Sequence, residues 1–208
     1  MISHTEARVG RPRGFDADEA LDSAMRIFWE RGYEGASLAD LTGAMKINRT
    51  SMYAAFGNKE QLFQQVLQRY TEGPASYGAR ALQQATAREV ATAFLNGSVR
   101  ATTSPGDPTG CLGVQGALAS GSAAHGALTA WRHQGVVALR ERFQRAVAEG
   151  DLPSDTDAGS VARHLMTVAS GITVQAAHLV AICNKSPMPS YGAGHPPERR
   201  RRRASISA

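Results

Sequence analysis

Ser37 with Asp40, Asn48, and Asn58 with Gln61 place three helix starts between residues 37 and 61. In each, a short polar side chain can satisfy free backbone N–H groups, and in two of them an acid or amide three residues on answers it. Two short helices result, about Leu38–Ala44 and Arg49–Phe56, joined by only a few residues. A longer helix precedes them: Asp16 with Glu19 opens it, Ala20, Leu21, Ala24, Met25 and Phe28 recur at helical spacing, and Gly32 closes it. This is helix-turn-helix geometry. Leu38, Leu41, Ile47, Met52, Tyr53 and Phe56 are expected to hold the three helices together.

The same punctuation continues down the chain. Gly57 suits a left-handed helix end, and Gly73 and Pro74 are expected to interrupt the next helix. Thr86 with Glu89 opens a helix towards Ala101, and Ser104–Gly110, with two Pro and two Gly, reads as a loop. Long helical patterns follow over about Leu128–Glu149 and Asp155–Ile182, parted by the turn Gly150–Ser154. Val161, Leu165, Val168 and Ile172 share one face of the second. No alternating apolar segment reads as a strand and no internal repeat is visible, so the expected fold is all-α.

At 208 residues the chain can hold one generous domain or two modest ones. No apolar run approaches the roughly 20 residues of a membrane span. Met1–Gly14 carries Arg8, Arg11 and Arg13 with no apolar block behind them, unlike a secretory signal. A cytoplasmic location is expected. Cys111 and Cys183 are too few for a disulfide framework and lack metal-finger spacing, which favours reduced thiols. The net charge of +5 is a property of the end of the chain, because Lys185 and Arg199 to Arg203 face Glu198 alone and residues 1–183 are formally neutral. Residues 1–60 hold eight basic against nine acidic side chains, so bulk charge does not argue that they bind nucleic acid. The motif must carry that inference.

An α-helix fits the major groove of B-DNA and reads bases with its N-terminal residues. Arg49 is the candidate for base contact, since a guanidinium can donate two hydrogen bonds to guanine; a phosphate contact is the equal alternative. Thr50 suits a thymine methyl or base edge, and Ser51 and the Tyr53 hydroxyl suit phosphate oxygens. Ser37 and Lys59 stand at helix N-termini, where backbone N–H groups and the helix dipole favour a phosphate. Ser37 and Asn48 are needed as caps in any case, and Tyr53 is also a candidate core residue. Upstream, Arg8-Val-Gly-Arg-Pro-Arg-Gly is a basic arm whose Arg11 and Arg13 are candidates for a minor-groove contact.

These residues resemble the TetR family of regulators. The likeness is carried by Ala24-Met25-Arg26-Ile27-Phe28 with Arg31-Gly32-Tyr33, by Ser37-Leu38-Ala39-Asp40-Leu41, by Ile47-Asn48-Arg49-Thr50-Ser51-Met52-Tyr53, and by Phe56-Gly57-Asn58-Lys59-Glu60-Gln61-Leu62-Phe63. Pro108-Thr109-Gly110-Cys111-Leu112 is similar to a stretch in one branch of the family. The resemblance implies an all-helical homodimer that represses transcription from palindromic double-stranded operators and is released by a small-molecule effector. It assigns phosphate contacts to Ser37, Ser51, Tyr53 and Lys59, and base reading to Arg49 and Thr50. Lys46 stands where the family usually has the glycine of the turn, and a non-Gly residue at positive φ is costly.

The expected organisation is a basic arm at 1–14, a DNA-binding domain at 15–62, a helical ligand-binding and dimerisation domain at 63–183, and a disordered basic tail at 184–208, where Pro187, Pro189, Pro196 and Pro197 forbid a helix. Val161, Leu165, Val168 and Ile172 are candidates for the dimer seam, with their own core as the alternative. Phe94, Cys111, Trp131 and Phe143 are candidate pocket residues by type. Cys111 as an oxidant sensor and His125, His133, His164 and His178 as metal ligands define an alternative, redox- or metal-responsive repressor. No pair among them has ligand spacing, so neither metal nor cofactor is expected. No nucleophile, base and orienting group form a recognisable array, which argues against an enzyme.

Overall fold

Asp16 starts the first helix as its spacing predicts, its carboxylate accepting the backbone N–H groups of Asp18 and Glu19 at 2.8 and 3.2 Å. In this computed structural model, which describes residues 14–115 and 123–185, α1 runs over Ala17–Gly35 and is broken at Gly32, whose φ of 70° and ψ of 174° are not helical. Ser37 and Asp40 form a complete capping box at the start of α2 (Leu38–Met45). Asn48 caps α3 (Arg49–Phe56) through the Ser51 N–H at 2.8 Å, and Asn58 with Gln61 boxes α4 (Lys59–Glu72). Pro74–Ser76 then makes a single 3₁₀ turn.

Beyond it lie α5 (Tyr77–Leu82), α6 (Ala87–Thr103), the short α7 (Leu112–Gln115), α8 (Ala123–Ala148) and α9 (Ala158–Lys185). Every regular element among the described residues is helical, so the fold is all-α. Residues 1–13, which include Arg11 and Arg13, and the segment 186–208 lie outside the described residues.

Two apolar clusters organise these helices. Phe28, Trp29, Leu41, Met52, Leu62, Phe63, Val66 and Tyr70 form the first, between α1, α2, α3 and α4. Phe63 stands edge-on to Phe28, and Trp29 edge-on to Tyr70, with centroids 5.0 and 4.9 Å apart. The Arg69 guanidinium forks onto Asp22 at 2.8 and 3.0 Å, fixing α4 against α1. The second cluster joins α6, α8 and α9 through Val90, Phe94, Leu139, Phe143, Ala162 and Leu165.

The first cluster does not stop with α4, for Cys111, Leu112, Ala124 and Leu128 insert into it. Across this junction the buried Trp29 indole donates to the Gly110 carbonyl at 3.1 Å, and Arg26 donates to the Gly106 carbonyl and pairs with Asp107. The Pro108–Leu112 stretch singled out in the sequence is therefore what packs against α1.

Two alternatives left open by the sequence are narrowed here. Tyr53 is not a core residue: α3 buries Met52 and Phe56, one turn apart, and Tyr53, rotated roughly 100° from Met52, is 47% exposed. Leu165 is buried in its own chain's second cluster beside Ala162 and Ala169, whereas Val161 and Ile172 are half-buried and Val168 is exposed. The four residues therefore do not form one uniformly outward stripe.

Candidate nucleic-acid interface

The turn between α2 and α3 sets the direction of the reader helix, and α2 ends on a Schellman motif. The Lys46 N–H bonds back to Gly43 and Thr42, and the Ile47 N–H reaches Thr42 at 3.1 Å. That closure places Lys46 in the left-handed region, with φ 54° and ψ 37°, the only non-glycine at positive φ among the described residues. The turn thus keeps its regular geometry with lysine where the family usually has glycine.

From this turn α3 projects Arg49, Thr50 and Tyr53 outwards, all exposed, with Ser51 half-buried and Met52 and Phe56 anchoring the opposite face. Asn48 is exposed while its side-chain oxygen caps Ser51. The Ser37 hydroxyl is engaged in its own box, donating to Asp40 at 2.6 Å and accepting from the Asp40 N–H at 3.1 Å. Arg31 adds an ion pair to Asp40 at 2.7 Å. Hydrogen bonds from the Ser37 side chain and backbone, followed by that from Arg31, hold the Asp40 carboxyl below the usual aspartate range.

Lys59, the phosphate candidate at the start of α4, packs its side chain against an aromatic ring. Its ammonium lies 4.4 Å from the centroid of the Tyr33 ring, and desolvation lowers its pKa. Tyr33 in turn packs on Phe28 and Phe63. The sequence held the signal for this contact, Tyr33 directly after the helix break at Gly32, but not the closure that brings it to α4. Gly14 and Phe15 share a groove of about 350 Å³ with Lys46, Ile47, Asn48 and Ser51, beside the N-terminus of α3.

A separate cavity of about 560 Å³ opens between α4, α5 and α8. Phe94 and Trp131, both candidates from sequence, line it with Leu67, Tyr77, Leu82 and Met166. Cys111 and Phe143 do not. Phe143, 1% exposed, is consumed by the second apolar cluster, and Cys111 by the first, where it neighbours Tyr70 and Tyr77. Burial, then the neighbouring Cys111, pushes the Tyr77 phenol up to about 12. Among the described residues no group of three or more His, Cys, Asp or Glu side chains is placed to hold a metal ion, and no helix is long and apolar enough to cross a membrane.

A capped helix-turn-helix with an outward polar reader, coupled through α4 to a helical body holding an apolar cavity, defines the class: a DNA-binding transcription regulator rather than an enzyme. Comparison with known proteins agrees. Residues 20–66 match the family model described as bacterial regulatory proteins, tetR family. The transcriptional repressor ComR of Escherichia coli K12 is 33% identical over 173 residues, which cover 80% of this chain and 82% of ComR. The TetR family regulator CifR, solved as a cysteine mutant complexed with 26-bp double-strand operator DNA, is 42% identical with a TM-score of 0.76, over 84% of this chain and 97% of that one. A further TetR regulator, from Rhodococcus sp. RHA1, is 42% identical with a TM-score of 0.52 over 78% and 88% of the two chains. The chain belongs to the TetR family and is a DNA-binding transcriptional repressor of that family.

Proposed function

We propose that this protein binds a palindromic double-stranded operator as a homodimer and leaves it when a small apolar effector fills the cavity between α4, α5 and α8. The observation that carries the reading is the outward surface of α3, where Arg49 and Thr50 stand exposed at a capped N-terminus. Arg49 and Thr50 read bases; Ser51, the Tyr53 hydroxyl and Lys59 meet phosphates. Ser37 and Asn48 hold the helix ends whose N–H groups face the backbone. Arg11 and Arg13 follow from Gly14 into the adjoining minor groove. Residues 15–62 form the DNA-binding part and 63–183 the sensor, which dimerises through α8 and α9, where Val168 and Val174 are exposed. Its place of action is the cytoplasm, with the DNA.

The cavity's own hydrogen bonds support an apolar, uncharged effector. The Trp131 indole donates to Thr71 at 2.7 Å, Gln68 donates to Glu72 at 3.0 Å, and Arg132 donates to the Gly113 carbonyl and Thr129. These polar groups of the wall are thus engaged within the protein, which leaves Gln64 and Gln134 to orient a guest held mainly by apolar surface. Because α4 forms one wall and carries Lys59 at its other end, a guest that moves α4 also moves the reader helix packed against it. Selection of bound fragments from the genomic DNA of the source organism tests the reading. A palindromic consensus with half-sites about one helical turn apart is the expected result; no enrichment would overturn it.

A further inference from the structure

The cations of the helix-turn-helix are not equally free. Between residues 14 and 62, Arg26 pairs with Asp107 at 3.2 Å, Arg31 pairs with Asp40 at 2.7 Å, and the Lys59 ammonium lies over Tyr33. Lys46 and Arg49 have no carboxylate partner among the described residues, and both are exposed. They flank Asn48, the cap of α3. The positive charge available at the start of the reader helix is therefore that of Arg49 and of a lysine in the turn.

Lys46 is also the residue least suited to its backbone. The Schellman closure of α2 demands a left-handed residue, and Lys46 adopts φ 54° and ψ 37°, where a Cβ is unfavourable and glycine is at ease. Its exposed side chain is not needed for packing. What a lysine offers at such a position is its ammonium, a compact charge with three donors that binds phosphate as a point charge. Its place on the lip of the groove shared with Gly14, Asn48 and Ser51 sets it beside the N-terminus of the reader helix. A strained residue held where its charge is unpaired points to a use outside the fold. We infer that Lys46 is a DNA phosphate contact of this regulator, adjoining the contact made by Arg49.

The inference rests on the DNA-binding reading above, and one experiment separates the two. Full-length wild type, Lys46→Gly and Lys46→Asn are titrated onto a labelled operator fragment recovered by genomic selection and onto a scrambled duplex of the same length, between about 50 and 200 mM salt. Lys46→Gly relieves the left-handed strain, so it should melt no lower than wild type yet bind both duplexes more weakly. The slope of log affinity against log salt should fall by about 0.9 for each phosphate that is no longer neutralised, hence by about two for a dimer. Lys46→Asn, which tolerates the conformation but carries no charge, should behave alike. Wild-type binding with an unchanged slope in both variants would overturn this inference alone. A weakening confined to the operator, with the scrambled duplex unaffected, would overturn the phosphate assignment by making Lys46 a base reader. Failure of the wild type to bind either duplex would overturn the DNA-binding reading, and this inference with it.

Discussion

The indole N–H of Trp131 on α8 donates to the hydroxyl of Thr71 on α4 at 2.7 Å, so a single hydrogen bond joins two walls of the cavity. The same Thr71 hydroxyl donates to the Leu67 carbonyl at 2.7 Å, which orients it to accept. Thr71→Val should cost about 0.5 kcal/mol of stability, the net value of an exposed hydrogen bond whose indole N–H can turn to water instead, whereas Thr71→Ser, which keeps the hydroxyl, should stay within about 0.2 kcal/mol of the wild type. Urea unfolding of both variants measures this; equal destabilisation in the two would show that the hydrogen bond contributes nothing.

Arg49 is exposed at the first position of α3, free of any carboxylate among the described residues. Arg49→Ala should weaken operator binding by about 1–3 kcal/mol and relax discrimination at one base pair of each half-site. Titration against operators substituted one base pair at a time reads this directly. A weakening that is the same for every sequence would move Arg49 to the phosphate backbone.

The capping box of α2 carries a pH dependence whose sign is set by Asp40. Its folded pKa is lowered, first by the Ser37 side chain, then by the Ser37 backbone and Arg31. A depressed folded value means that the carboxylate's contribution is fully present above the unfolded value of about 3.9 and is lost as pH falls through the lower folded value. The difference in urea midpoint between wild type and Asp40→Asn should be constant from about pH 7 to pH 5 and shrink below about pH 4. A difference that persists undiminished in acid would assign the stabilisation to shape rather than charge.

Gly57 ends α3 at φ 76°, and a Cβ there would collide with Gln61, whose side-chain oxygen accepts the Asn58 N–H at 2.9 Å. Gly106 has φ 87° but open space around it. Gly106→Ala should therefore cost about 1 kcal/mol of backbone strain, and Gly57→Ala about 3 kcal/mol, because its ψ of −147° is one that essentially only glycine adopts and Gln61 must also leave its box. Thermal unfolding of both variants checks the order, and Gly57→Ala melting no lower than Gly106→Ala would overturn it.

The helix starts were legible because a cap is a local event. Asp16, Ser37, Asn48, Asn58 and Thr86 each bond to an N–H two or three residues away, so spacing in the sequence is spacing in space. The break at Gly32 was legible for the same reason. The left-handed residue at Lys46 was indicated only by the family resemblance, and the adjusted turn expected there is not found, since α2 closes on a regular Schellman motif. Which of its two candidate places Tyr53 takes, core or phosphate-facing surface, is not legible from residue type, since a rotation of one residue along the helix separates it from the buried Met52 and turns it outside.

By itself, then, the sequence determined the all-helical class, the position of the helix-turn-helix and the concentration of net charge at the far end of the chain, all consequences of short-range bonding and composition. Only the tertiary structure decided which of four similar candidates face a cavity: Phe94 and Trp131 line it, while Phe143 and Cys111 fill cores. It alone brought Arg26 to Asp107, 81 residues away, and set Lys59 over Tyr33, which positions its charge without neutralising it, while Lys46 and Arg49 keep neither kind of partner among the described residues. The physical reason is range. Hydrogen bonds within a turn are encoded by neighbours, whereas a cavity or a spent charge depends on how distant helices pack, and no local pattern records that.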